Sequence, residues 1–434
     1  PSIKECKDFI DQYSGVTNYK IFGNTNYVFQ FLSEQYADDV QWDKSKILIY
    51  TLDIEVASDD GFPDIRLANA PITAITVHNS INDTYYVFGT GDYTPDKNIK
   101  YFRLDNEEEM MQVFLDWWKD NPPHIITGWN CKFFDIPYIV NRMKYLDIEA
   151  KYLSPIKRVV DKNVVIAGRD NMYYTIIGIS TLDYIDLYKK YTYKARESYR
   201  LDYIGQVELG MGKITDDEMQ GYDLYKTDYQ KFIEYNIKDV EIVKKLDDKM
   251  KLLDLVITIA YESKINFEDV FSPVKTWETI IYNFLKDQKI AVPQNRHKGE
   301  SKGIEGGYVK DPDVGLHKWV VSFDLNSLYP HLIQQYNISP EMISDDEVLK
   351  IKYKDGVKGL LDKKLDTKYL KEHQMTLTPN GQHFSTKRQG FLPKLMKSMY
   401  DERVIYKKKM LEEEQRLEDG NYKNKEEVVN NIAK

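Results

Sequence analysis

The sequence predicts a multidomain protein of mixed α/β and α+β class. Its 434 residues, at ~150 residues per domain, allow two to four domains. From 47 to about 250, strand-like runs alternate with helical ones, the pattern of an α/β domain. A polar, Gly-containing stretch, QNRHKGESKG at 294–303, then reads as a linker to a second region that opens on a strand.

The elements follow in order. Residues 1–45 hold short amphipathic pieces. The run 47–56 is a strand of mostly apolar residues, and 72–77 and 85–88 continue the sheet. Residues 107–118 form a helix with Met110, Met111, Phe114, Leu115 and Trp118 on one side. A short strand at 124–127 and a helix at 136–146 come next. Two β-rich runs around GRDN, within 156–180, predict a hairpin. Residues 229–256 read as one long helix, and a further helix surrounds 277–285. The second region starts with a strand at 319–323, then a turn and a helix. Residues 391–418 carry apolar residues at helical spacing (Leu392, Leu395, Met396, Met399, Tyr406, Met410) and predict an amphipathic helix that breaks at Asp419–Gly420. No internal repeat occurs.

Composition narrows the function classes. Apolar residues are 42% and charged residues 30%, as in ordinary globular protein. No apolar run approaches the ~20 residues of a membrane span, and no signal peptide opens the chain. With only Cys6 and Cys131 there is no disulfide framework, which fits a reducing, cytoplasmic setting. The seven histidines show no zinc spacing. Net charge is −9, which argues against a generic nucleic-acid coat protein. Between 386 and 409, however, Lys387, Arg388, Lys394, Lys397, Arg403, Lys407, Lys408 and Lys409 face only Asp401 and Glu402, a local basic surface able to bind phosphate. The chain starts at Pro and stops inside a helical pattern, so both ends are expected to be cut from a longer protein.

The most informative residues are acids in apolar surroundings. Asp53 and Glu55 lie in ILIYTLDIEVAS, the predicted first strand. Residues i and i+2 of a strand share a face, ~6.6 Å apart. Two carboxylates held so close repel, and burial penalises their charge. A divalent cation between them removes both costs, and Mg²⁺ or Mn²⁺ suits such hard oxygen ligands. An edge strand with a solvated acidic face is the alternative. Asp135, in NCKFFD at 130–135, follows a short strand and occupies a helix N-cap position, with Pro137 in the first turn. In YNIKDV, Tyr235 and Asp239 are i and i+4 on one helix face.

A second candidate site is KWVVSFDLNSLYPHLIQQYNISPE, 318–341. A strand ends in Asp324, a short turn follows, and Leu328 opens a helix. That arrangement places a carboxylate for metal beside backbone N–H groups for phosphate.

DIE, NxxxFD and YxxxD, in that order and at domain-sized spacing, resemble the three exonuclease motifs of the DEDD nucleases whose third motif carries Tyr. By that resemblance Asp53, Glu55, Asp135 and Asp239 hold two metal ions, Tyr235 orients the attacking water, and Asn130 and Phe134 hold the 3′ end of a single strand. DxxSLYP resembles the first polymerase motif of the family B DNA polymerases. It implies that Asp324 binds the catalytic metals, that Leu325, Ser327 and Leu328 line the triphosphate, and that Tyr329 packs under the sugar. His331 stands where many members have Ser. EGGYV at 305–309 is similar to the family's template-contacting segment, which implicates Gly306, Gly307 and Tyr308 in binding DNA. Arg403 and Lys407 match positions that reach the triphosphate tail.

TGWN, SPIKRV, LDYIDLYKK and SPVKTW resemble the T-even-like myophage members of this family. The domains implied are an N-terminal remnant (1–46), an RNase H-like 3′→5′ exonuclease (47–251), a helical segment returning to the N-terminal domain with a linker (252–300), the first part of the palm (301–388) and truncated fingers (389–434). The implied cofactor is Mg²⁺ or Mn²⁺, two ions per active site. The implied partners are primer-template DNA, single-stranded 3′ ends, deoxynucleoside triphosphates, the remainder of the polymerase and a sliding clamp, in the cytoplasm of an infected cell if the source is viral.

The family's other polymerase motifs, KxxxNxxYG and YGDTD, do not occur. The expected function is therefore that of the N-terminal part of a replicative DNA polymerase, with a complete proofreading exonuclease and an incomplete polymerase site. A stand-alone DEDD nuclease and a non-catalytic DNA-binding scaffold are the alternatives.

Overall fold

Strand β1 (Ile49–Val56) is the centre of a six-stranded mixed sheet. On one side β2 (Ile72–Asn79) pairs antiparallel with β1, β3 (Thr84–Gly89) antiparallel with β2, and β4 (Ile99–Arg103) parallel with β3. On the other side β5 (Ile125–Thr127) and β8 (Ser180–Thr181) run parallel to it. The order is β4-β3-β2-β1-β5-β8. The computed structural model describes all residues but 1, 24–25, 39, 58–60, 62, 167, 193, 212–223, 293–306, 308, 345–346, 354, 366, 423–427 and 429–434. The expected linker at 294–303 lies outside the described residues. The chain divides into two units, 24–283 and 1–23 with 284–434.

The period-2 pattern of β1 sorts its side chains between two helical layers. Tyr50, Leu52 and Ile54 point into a core shared with α3 (Glu107–Asp120) and α4 (Asp135–Tyr145), packing with Met111, Phe114, Trp118, Ile139 and Met143. Ile49 belongs to a second core, built with α5 (Tyr184–Tyr191), α8 (Tyr229–Met250) and α9 (Leu252–Ser263). Two helices in one layer are joined by a buried pair. Arg142 on α4 donates to both oxygens of Glu107 on α3, at 2.8 and 2.5 Å, and Glu107 also accepts the N–H of Ile72 on β2. The expected hairpin forms from β6 (Val159–Ile166) and β7 (Arg169–Ile176), with Gly168 at φ +77° in its turn.

The expected single helix over 229–256 is two helices. Lys251 sits in the left-handed region at φ +54° and separates α8 from α9. The restart is capped by Asp247, whose Oδ1 accepts the N–H of Leu253. Neither Gly nor Pro marks this break, and the apolar pattern runs through it.

In the other unit, α1 (Ile3–Tyr13) carries a capping box of Ser2 and Glu5. The strand expected at 319–323 is not formed. Trp319 is 97% exposed and Phe323 90%, and among the described residues no strand pairs with this run. A strand needs ladder partners, and β-branched apolar residues alone do not supply them. Helix α11 (Leu328–Tyr336) starts where expected and packs on α15 (Phe391–Glu418). Asn337 ties this pair together: its Nδ2 donates to the carbonyls of Ser385 and Arg388, and its Oδ1 accepts the N–H of Gly390. The apolar side of α15 is buried only near its start, at Pro393, Leu395 and Met396, whereas the expected core residue Tyr406 is exposed.

Candidate functional site

On the face of β1 opposite the first core, Asp53 and Glu55 stand half-buried, directly across from Thr76 and Ala74 of β2. Helix α8 crosses this face. Its buried stripe contains Phe232, Ile233, Asn236, Asp239, Val240, Val243 and Leu246, helical spacing that carries two polar residues among apolar ones. Asp239 is thereby brought to the acids of β1. One carboxylate oxygen each from Asp53, Glu55 and Asp239 lie within 4.8 Å of one another, although Asp239 is 184 residues from Glu55 in sequence.

Asp135 arrives from the other side of β1. Gly128, after β5, runs so close to β1 that a Cβ there would lie 2.5 Å from the carbonyl oxygen of Leu52. The next turn contains Asn130 at φ +68°, a conformation Asn tolerates. Asp183, at the start of α5, holds this turn. Its carboxylate accepts the N–H groups of Asn130 and Lys132 at 2.9 Å and that of Ile185 at 3.2 Å. Burial pushes the Asp183 carboxyl up to about 7, against the pull of those three donors.

The expectation that Asp135 caps α4 is corrected. It is the first residue of the helix, behind Phe134, and its Oδ1 accepts the N–H of Ile54 at 2.9 Å instead. Asp135 is thus anchored between Asp53 and Glu55 in sequence, although it is not one of the three acids whose oxygens converge. Burial pushes its carboxyl up to about 7, the Ile54 N–H opposing and the nearby charges of Asp183 and Asp239 adding to the rise. Three acids that converge within 4.8 Å, with Asp135 anchored to the strand between two of them, offer the hard oxygen donors that suit a divalent cation.

Of the other expected residues, Tyr235 lies half-buried one turn before Asp239 on α8. Phe134 is half-buried and stacks on Tyr138, and the Asn130 side chain is exposed. No motif in the sequence points to Asn236. It is fully buried, its Nδ2 donates to Asp53 Oδ2 at 2.7 Å, and its Oδ1 accepts from the Thr76 hydroxyl. The signal was available, as a polar residue in an apolar stripe position. Asp183 lies inside LDYIDLYKK, where only its distant bonds to the 130–132 turn reveal its part in the site.

In the other unit, Asp324, Leu325, Tyr329, Arg403 and Lys407 are exposed and Ser327 adopts φ +50° before α11. Gly307 is described and exposed; Gly306 and Tyr308 lie outside the described residues. His331 contacts Tyr400 of α15 edge-on, ring centroids 4.7 Å apart. Among the described residues, the only group of three metal-capable side chains is that of Asp53, Glu55 and Asp239.

A mixed sheet with acids gathered beside its central strand has the layout of a metal-dependent exonuclease domain. Residues 19–204 match the family described as "DNA polymerase family B, exonuclease domain", and residues 273–430 match "DNA polymerase family B". The chain belongs to the family B DNA polymerases. It is 36% identical to the DNA-directed DNA polymerase of Escherichia phage RB69, over 94% of this chain and 46% of that protein. It is 33% identical to the DNA-directed DNA polymerase of Enterobacteria phage T4, over 96% of this chain and 48% of that protein. DNA polymerase 1 of Sulfolobus acidocaldarius is 28% identical, over 69% of this chain and 36% of that protein. The chain spans about half the length of the two phage proteins. The exonuclease match ends before α8, so Asp239 joins the site through its geometry. The match over 273–430 speaks against a stand-alone nuclease. No described helix is long and apolar enough to cross a membrane.

Proposed function

We propose that this chain is the N-terminal part of a replicative DNA polymerase and removes nucleotides from the 3′ end of single-stranded DNA. The observation that carries this reading is the convergence of Asp53 and Glu55 from β1 with Asp239 from α8 inside 4.8 Å. Asp53, Glu55, Asp239 and Asp135 would hold two Mg²⁺ or Mn²⁺ ions. When bound, such ions would supply charge stabilisation for an in-line phosphoryl displacement.

The chain's own residues do the rest. The Tyr235 hydroxyl orients the attacking water, and Asn130 and Phe134 hold the terminal nucleotide. The water oxygen bonds to phosphorus as the bond to the neighbouring 3′-oxygen breaks. The products are a nucleoside 5′-monophosphate and a strand one nucleotide shorter, with its 3′-hydroxyl restored. Glu55 and Asp53 lie on a rigid central strand, which keeps their spacing fixed during that displacement.

The domains that go with this reading are the exonuclease at 47–251, the first part of the palm at 301–388 and the start of the fingers at 389–434. Asp324 supplies one carboxylate for primer extension, with Leu325, Ser327, Leu328, Tyr329, Arg403 and Lys407 for the triphosphate and Gly306, Gly307 and Tyr308 for template. A second palm aspartate comes from the remainder of the polymerase, which binds primer-template DNA and a sliding clamp in the cytoplasm of an infected cell. A 5′-labelled oligonucleotide incubated with the chain and Mg²⁺ tests the reading. Stepwise shortening from the 3′ end, lost in Asp53→Ala, supports it; an intact oligonucleotide overturns it.

A further inference from the structure

We infer that Asn236 and Thr76 form a relay that sets the orientation of the Asp53 carboxylate, making Asn236 a positioning residue for metal binding at this site. The inference deepens the exonuclease reading and rests on it for its place in a reaction.

Three elements meet here. Thr76 stands on β2 directly opposite Asp53 on β1, and Asn236 comes down from α8 between them. Asn236 has 0% of its surface exposed, and its amide touches both partners. The chemistry of each group fixes the direction of the chain. An ionised carboxylate only accepts, so Asn236 must present its NH₂ to Asp53. Its carbonyl oxygen then faces Thr76, whose hydroxyl must donate to it. The threonine thus prevents the amide from flipping, and the amide holds Oδ2 of Asp53.

This arrangement does more than satisfy a buried amide. Holding one oxygen of Asp53 fixes the rotation of that carboxylate relative to Glu55 and Asp239. Asn236 also lies one residue after Tyr235 and three before Asp239. Its bond to β1 therefore fixes the rotation of α8 about its own axis against the strand. Neutral donors to a ligating carboxylate orient it without competing for positive charge, whereas a lysine here would repel the cation. A leucine at 236 would fill the stripe between Ile233 and Val240 without breaking the helix, so packing alone does not require the amide.

The test measures Mn²⁺ affinity by electron paramagnetic resonance titration on the whole chain, together with kcat and KM on a single-stranded oligonucleotide and the Tm without metal. Asn236→Leu keeps the branched shape of the side chain and removes the relay. It is expected to retain its Tm while weakening Mn²⁺ binding ~10–100-fold and lowering kcat, with KM for DNA unchanged. Thr76→Val should shift affinity in the same direction by less, and Thr76→Ser should restore it. The double variant should bind no more weakly than Asn236→Leu, because Thr76 acts through the amide. Unchanged Mn²⁺ affinity in Asn236→Leu or, if that variant does not fold, in Thr76→Val overturns the inference. So does an unsubstituted chain that binds no Mn²⁺. Weakened binding in the variants of a chain that degrades no DNA upholds the relay and overturns the nuclease reading instead.

Discussion

Asp53 on the central strand and Asn236 on α8, 183 residues apart in sequence, are joined by a 2.7 Å hydrogen bond from amide to carboxylate. That bond lies beside the place where Asp239 comes within reach of Asp53 and Glu55. The acids of β1 are not ornaments of a solvated edge strand, because β1 has neighbours on both sides. They face α8, where Asp239 adds a third carboxylate.

Like-charge repulsion among these acids has a measurable consequence. In EDTA, Glu55→Gln removes one of the repelling charges and is expected to keep or raise the Tm. With millimolar Mn²⁺ the unsubstituted chain should gain Tm by binding the ion in the folded state only, and Glu55→Gln should gain much less. Differential scanning calorimetry in both conditions checks this. Equal Mn²⁺ shifts in the two proteins would contradict it.

Gly128 is required by a close approach and not by its backbone angles. Gly128→Ala drives a methyl to 2.5 Å from the Leu52 carbonyl, next to Asp53. The expected cost is ~1–3 kcal/mol of stability, with a loss of exonuclease rate as β1 shifts. Urea unfolding and the oligonucleotide assay measure the two effects separately.

The Arg142–Glu107 pair ties α4 to α3, and Glu107 also accepts from β2. Arg142→Leu leaves a buried carboxylate without its cation and should destabilise unit 24–283 by ~3–5 kcal/mol. Replacing both residues, Glu107→Leu with Arg142→Leu, should cost less than the single change. A urea series on the three variants decides it.

Primer extension gives the sharpest separation between the two chemistries. The sequence holds one candidate palm aspartate, Asp324, and neither KxxxNxxYG nor YGDTD. The purified chain should therefore digest single strands yet add no nucleotide to a primer-template with all four deoxynucleoside triphosphates and Mg²⁺. Gel analysis of a labelled primer shows either outcome, and robust extension contradicts the account.

Much of this was legible in the sequence because its signals are local. Alternation along 47–56, the GRDN turn and the helical spacing of 107–118 each follow from short-range periodicity. The break at Lys251 was not legible, since no Gly or Pro marks it and Asp247 makes the cap from within the preceding helix. The run 319–323 has strand composition, but a strand exists only through its neighbours. At the site, DIE and YxxxD could be read by eye, whereas the anchoring of Asp135 by Ile54 N–H and of the 130–132 turn by Asp183 depends on pairings far apart in the chain.

If Asp53, Glu55 and Asp239 form one metal-dependent nuclease centre, each must be needed for the same reaction. The most direct measurement follows a 5′-labelled single-stranded oligonucleotide on a denaturing gel with Mg²⁺, comparing the unsubstituted chain with Asp53→Ala, Glu55→Ala and Asp239→Ala. The expected result is a ladder receding from the 3′ end, abolished by EDTA and slowed more than ~100-fold by each substitution, beyond the range expected for residues that only support metal ligands. An undegraded oligonucleotide, or a ladder that survives Asp239→Ala, would contradict it.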